Sequence, residues 1–239
     1  MEKLSKEELA KKIDHTLLKP EATPEQIIQL CEGAKKYGFY SVCVNSRYVE
    51  LAKRQLAGSL VKICSVVGFP LGAMDIEAKA YETLRALLEG ADEIDMVIWV
   101  GGIKAKLNEE VKKDIQRVVG VCRKYGAICK VIIETALLTN EEKERACNLV
   151  CEAEAEFVKT STGFIKDGGA TVEDVKLMRR VVGNRAKIKA AGGIRTYKDA
   201  LAMLEAGADR LGMSASVQAM EESEKSKEPE PHGGDEGTT

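Results

Sequence analysis

Histidine is almost missing from this chain. Only His15 and His232 occur among 239 residues, and His232 lies in a polar C-terminal stretch. A histidine-based metal centre or a Ser–His–Asp triad is disfavoured, because His15 would have to serve alone. An excess of either charge is missing too. Lys and Arg number 36 against 38 Asp and Glu, a formal net charge of −2, so no basic field recruits nucleic acid or an anionic membrane. No apolar run approaches the roughly 20 residues that span a bilayer, and the charged N-terminus does not read as a signal peptide. The seven cysteines contain no Cys-x-x-Cys pair, which fits reduced thiols better than a disulfide framework. Cys147 and Cys151 are four apart, but no histidine or further cysteine completes a zinc set. The expectation is a soluble cytoplasmic protein that handles small molecules.

What the chain does have is a repeat. Short runs of strand formers alternate with capped amphipathic helices from Ile13 onward. The strands are expected at Ile13 to Thr16, Ser41 to Asn45, Val61 to Phe69 and Glu93 to Val100. Four more follow at Ile128 to Glu134, around Lys159, at Ala186 to Ala191 and at Arg210 to Ser214. Thr23 with Gln26, Thr139 with Glu142, Thr171 with Asp174 and Thr196 with Asp199 mark helix starts, and Gly38, Gly126, Gly183 and Gly207 mark stops. Eight strand–helix units with short turns predict one closed (β/α)₈ barrel, the TIM-barrel architecture, over 1–220, with a short N-terminal helix. The length of 239 residues suits such a barrel. Residues 221–239 are too polar to bury and read as a disordered acidic tail. No dinucleotide or phosphate-loop glycine motif follows an early strand.

Phe157-Val158-Lys159-Thr160-Ser161-Thr162-Gly163 stands out, because a lysine sits in the middle of an apolar strand. Desolvating its ammonium is costly. The run has two readings, a structural ion pair or a nucleophilic amine. Alternation along parallel strands puts Lys159, Lys189 and Asp95 on the inner face of three of them, toward the carboxyl ends where barrel chemistry sits. Two ammonium groups held close together cannot both stay charged cheaply, so one is driven neutral. Gly192-Gly193-Ile194-Arg195 after the seventh strand and Gly212-Met213-Ser214 after the eighth fit the phosphate site of such barrels. Cys43 reads as a core thiol.

Six motifs in order resemble the deoxyribose-phosphate aldolase family. They are Ile13-Asp14-His15-Thr16-Leu17-Leu18, Val67-Gly68-Phe69-Pro70-Leu71-Gly72, Glu93-Ile94-Asp95-Met96-Val97, Lys130-Val131-Ile132-Ile133-Glu134-Thr135, Val158-Lys159-Thr160-Ser161-Thr162-Gly163, and Lys189 through Thr196. The resemblance implies a class I lyase that cleaves 2-deoxyribose 5-phosphate reversibly to acetaldehyde and glyceraldehyde 3-phosphate, with no metal or organic cofactor. It makes Lys159 the Schiff-base lysine, Lys189 the neighbour that keeps it uncharged, and Asp95 part of the proton relay. Asp14, Thr16 and Lys130 support the substrate or the network, and Thr160 and Gly163 join the substrate-binding set. Relatives are often dimers or tetramers, so a homo-oligomer is the expectation by analogy.

The chain departs from the family pattern at several positions: Trp99, Ala191, Met74, Ala136, Met213, and the turn from Phe164 to Gly168. Strand parity points Trp99 into the opening. Clustered there, these changes predict an acceptor pocket reshaped by divergence or by engineering, with phosphate recognition weakened. A Schiff-base carboligase for unphosphorylated or more apolar aldehydes is the second reading. A non-catalytic barrel that binds a phosphorylated metabolite is the third.

Overall fold

The computed structural model describes residues 4–225. Eight parallel strands pair in chain order and close on themselves, as the repeat predicts. They are β1 (Ile13–Leu17), β2 (Ser41–Asn45), β3 (Lys62–Val67), β4 (Glu93–Val97), β5 (Ile128–Ile132), β6 (Phe157–Lys159), β7 (Lys187–Ala191) and β8 (Arg210–Met213). Outside them lie α1 (Lys6–Ala10), α2 (Pro24–Tyr37), α3 (Val49–Gln55), α4 (Ile76–Glu89), α5 (Val100–Lys104) and α6 (Asn108–Lys124). The ring continues with α7 (Asn140–Glu152), α8 (Val172–Val182), α9 (Tyr197–Glu205) and α10 (Ser216–Lys225).

The local signals act where the sequence places them. Thr23 with Gln26, Thr139 with Glu142 and Thr196 with Asp199 form reciprocal capping boxes, and Thr171 caps α8 through the Asp174 amide. Two elements escape the periodicity. The strand expected to run to Val100 stops at Val97, and the chain turns at once into the five-residue helix α5. At the far end, α10 carries the chain past Met220, and there the Tyr37 hydroxyl and the Tyr197 backbone amide donate to the carboxylates of Glu221 and Glu222. The expectation for the remaining tail falls outside the described residues.

The two faces of the barrel wall differ in chemistry. Outward side chains such as Ile94, Met96, Val131, Val158, Ile188 and Leu211 pack with the helices into one large apolar core. Inward positions carry Asp14, Cys43, Cys64, Glu93, Asp95, Lys130, Lys159 and Lys189, all nearly inaccessible to solvent. Burying apolar area on the outer face supplies the stability, at roughly 25 cal/mol per Å². Buried charge on the inner face is tolerated only because each group is paired.

Candidate active site

The strand register decides which inward groups meet. Asp95 of β4 lies beside Lys130 of β5, and Lys159 of β6 lies beside Lys189 of β7. Their long side chains converge on one carboxylate. Asp95 Oδ2 accepts from Lys159 Nζ and from Lys189 Nζ, each at 2.7 Å, and Oδ1 accepts from Lys130 Nζ at 2.7 Å. The thiol of Cys64 also donates to Oδ1, at 3.1 Å. Cys43 is a buried core thiol, and it is inward: its sulfur faces Asp95 Oδ2 inside the barrel, at 4.0 Å.

Further carboxylates surround this knot. Lys189 Nζ pairs with Asp14 Oδ2, Lys130 Nζ with Glu93 Oε2 at 2.7 Å, and Arg210 Nη1 with Asp14 Oδ1 at 2.8 Å. Burial opposes charge on Asp95, yet Lys130, Lys159 and Lys189 hold its carboxyl well below the usual carboxylate range. Burial likewise opposes charge on Lys189 and Lys130. Asp14 and Asp95 outweigh it at Lys189, and Asp95, Cys64, Glu93 and Asp14 outweigh it at Lys130, so both ammonium groups are raised above the ordinary lysine range. Two trios, Cys43–Cys64–Asp95 and Asp14–Cys64–Glu93, bring their ligand atoms within 4.8 Å of one another. A metal ion there would have to displace the ammonium and guanidinium groups that already pair with these carboxylates.

Above the cluster opens a cavity of about 290 Å³ at the carboxyl ends of the strands. Lys159 forms part of its floor, and Thr16, Gly163, Gly192, Gly193, Arg195, Gly212 and Ser214 line its walls. Gly192 and Gly193 both have positive φ, 85° and 79°. Their amides donate to no backbone or side-chain acceptor among the described residues. Two such amides in succession bring the positive ends of their N–H dipoles to the cavity wall. The glycine at 192 is also a matter of room, since a β-carbon there would meet the Cα of Gly169 at 3.0 Å.

Several expectations are corrected. Trp99 is not in this opening. Because β4 ends at Val97, parity no longer governs residue 99, which takes up the N-cap position of α5. Its indole packs so tightly over Gly102 that a β-carbon there would sit 2.5 Å from Cε3. It lines a separate groove of about 480 Å³ with Met74, Ile76, Glu110 and Asp114. Met213 is core, 1% exposed, and Ala136 borders a neighbouring hollow beside Gly168. Only Ala191 and Phe164 among the departing residues reach this cavity, so the predicted clustering of changes at one mouth does not hold. Thr160 is a strand tie, not a wall residue. Its hydroxyl donates to the Ala191 carbonyl at 3.1 Å and accepts from the Ala191 amide at 3.0 Å. Asp14 and Lys130 lie beneath the cavity, in the network.

Sequence reasoning passed over Glu93 and Arg210, although parity with Asp95 and Gly212 marks both as inward. It also passed over the role of Glu134. Its backbone is left-handed, φ 55°, so its carboxylate leaves the strand pattern and binds the amide and hydroxyl of Thr162 beside Lys159's strand.

Comparison with known proteins agrees with this geometry. The family model of DeoC/LacD family aldolases matches residues 9–219. Deoxyribose-phosphate aldolase from Thermococcus gammatolerans is 58% identical over 216 residues, covering 90% of this chain and 96% of the relative. That of Thermococcus kodakarensis is 58% identical over 220 residues, covering 91% and 98%. The tetrameric deoxyribose phosphate aldolase structure from Aeropyrum pernix superposes with a TM-score of 0.83 at 34% identity, covering 92% of each chain. This chain, a closed parallel barrel with a lysine–carboxylate knot under an open mouth and matched over nearly its whole length, belongs to the DeoC/LacD family of aldolases.

Proposed function

We infer that this chain is a deoxyribose-phosphate aldolase that works through a Schiff base on Lys159. One observation carries the reading. Within the charged cluster, Lys159 alone lines the cavity, and it alone contacts a single carboxylate, one that Lys189 shares. Its amine is thus the member of the cluster with open access to an aldehyde.

In the cleavage direction the Lys159 amine attacks C1 of the open-chain sugar, and loss of water gives the iminium. A base takes the C3 hydroxyl proton, the C2–C3 bond breaks, and its electron pair flows into the iminium to leave an enamine. Glyceraldehyde 3-phosphate departs. Protonation at C2 and hydrolysis then release acetaldehyde and the free amine. Asp95 with Lys189 is positioned beside Lys159 to relay the proton through water. The Gly192–Gly193 amides, with Arg195 and Ser214 near by, suit the phosphate. With Trp99 outside the cavity, nothing in the structure favours the carboligase reading. A homo-oligomer fits the exposed Leu71, Tyr81 and Leu88 around and along α4, and sedimentation of the purified chain measures it.

Borohydride reduction in the presence of acetaldehyde tests the amine. A two-carbon adduct on Lys159 is expected, and its absence overturns the Schiff-base reading. Comparison of kcat/KM for deoxyribose 5-phosphate and deoxyribose tests the anion site. The phosphate ester is expected to lead by at least about 100-fold, since hydrogen bonds to a charged group contribute about 1.5–3 kcal/mol each. Equal values reject phosphate recognition.

A further inference from the structure

All eight strands send a polar or charged group toward the centre of the barrel: Asp14, Cys43, Cys64, Glu93 and Asp95, Lys130, Lys159, Lys189, and Arg210. Only Lys159 of these lines the catalytic cavity, and Glu93 and Arg210 are the first residues of their strands, at the end away from it. They sit at the foot of the cluster. Arg210 Nη1 reaches Glu93 Oε2 at 3.4 Å, and its guanidinium lies 3.4 Å over the ring of Tyr40. Glu93 and Tyr40 border a hollow of about 210 Å³ at the opposite end of the barrel, and Glu93 Oε1 is buried without a hydrogen-bond partner among the described residues.

The contacts give a charge balance. Asp14, Glu93 and Asp95 are three carboxylates against the four cations Lys130, Lys159, Lys189 and Arg210. Lys130 contacts Asp14, Glu93 and Asp95, Lys189 contacts Asp14 and Asp95, and Arg210 contacts Asp14 and Glu93. Lys159 contacts Asp95 only. A guanidinium does not give up its proton. The cluster is neutral when one lysine is uncharged, and Lys159 is the lysine with the fewest carboxylate contacts.

We propose that Glu93 and Arg210 are positioning residues for catalysis, which set from the foot of the barrel how many protons the lysine cluster holds. The inference rests on the Schiff-base reading above. Glu93→Gln leaves two carboxylates against four cations, so the cluster sheds a proton more readily. Arg210→Gln leaves three against three, so every lysine can stay charged in a neutral cluster. The two substitutions therefore act in opposite directions, and the double variant returns the excess to one.

The experiment is the acid limb of the pH profile of kcat/KM. It is expected to move about one pH unit toward acid in E93Q and about one unit toward alkali in R210Q, from Coulomb's law at an effective dielectric near 20. In E93Q/R210Q it returns to the parent position, and in the charge-conserving E93D it stays there. Limbs that do not move, or move the same way in both single variants, overturn the proposal. A folded fraction too small for assay in one variant leaves the sign of the other and of the double variant to decide. Borohydride trapping with acetaldehyde runs in parallel. Loss of the Lys159 adduct in the parent chain defeats the Schiff-base reading, whereas adducts throughout with unmoved limbs defeat this inference alone.

Discussion

Lys79 and Lys159 are both buried lysines in contact with a carboxylate, and they stand on opposite sides of the barrel wall. Lys79 projects from α4 into the layer between helices and strands. Its amine donates to the Gly72 carbonyl at 3.3 Å, the Val97 carbonyl at 3.0 Å and Asp114 Oδ2 at 2.5 Å. All three of its donors are spent, and the bonds pin the ends of β3's exit loop and of β4. Lys159 has one acceptor, shares it, and lies against a cavity. Burial does not by itself make a lysine reactive. An unfilled set of hydrogen bonds and a path for a ligand do.

The comparison breaks most sharply by substitution. Lys159→Met is expected to lower kcat/KM by about 10³-fold or more and to abolish the acetaldehyde adduct, because the nucleophile is gone. Lys79→Met is expected to keep the adduct on Lys159. It should instead cost about 3–5 kcal/mol in urea unfolding, because Asp114 is left buried and unpaired. Lys79→Met combined with Asp114→Leu should recover much of that loss. An unchanged urea midpoint in the single variant would show that Lys79 is not the structural counterpart described.

A third buried base, His15, sharpens the contrast through pH. It lies outside the cluster, with Nδ1 3.0 Å from Ser216 Oγ and its ring against Phe39. Burial lowers its pKa from 6.5 to about 4. The unfolded chain binds the proton more readily, so the stability gained from neutral His15 is fully present above pH 6.5. It falls away as the pH drops toward 4. The loss is on the order of 3 kcal/mol. Unfolding titrations at pH 7 and pH 4.5 should show it, and His15→Asn should flatten the slope over that interval. A parallel slope in the variant would assign the effect to the carboxylates.

The smallest effect belongs to Trp99. With its indole on Gly102 and away from Lys159, Trp99→Phe is expected to cost about 1 kcal/mol of stability. It should leave the kcat/KM ratio of phosphorylated to plain deoxyribose unmoved. A changed ratio would return this side chain to the substrate site.

The strand order and most helix starts were legible because their causes are local: alternation, capping boxes and glycine stops act within a few residues. Lys159, Lys189 and Asp95 were legible because a two-residue period survives inside a strand. The same rule failed at Trp99, where β4 had already ended, and at Glu134, where a left-handed residue turns the side chain aside. Glu93 and Arg210 obeyed parity, but position along a strand does not say that two ends of a barrel share one charged network.

The sequence by itself determined the eight-fold repeat, the motifs of an aldolase family and the inward face shared by Asp95, Lys159 and Lys189. Tertiary structure alone decided that Lys130, Lys159 and Lys189 converge on Asp95, that Lys79 is saturated while Lys159 is not, and that Trp99 faces away from the mouth. Those outcomes depend on strand register and barrel closure, which bring together side chains far apart in the chain. Desolvation then gives each such meeting its electrostatic weight.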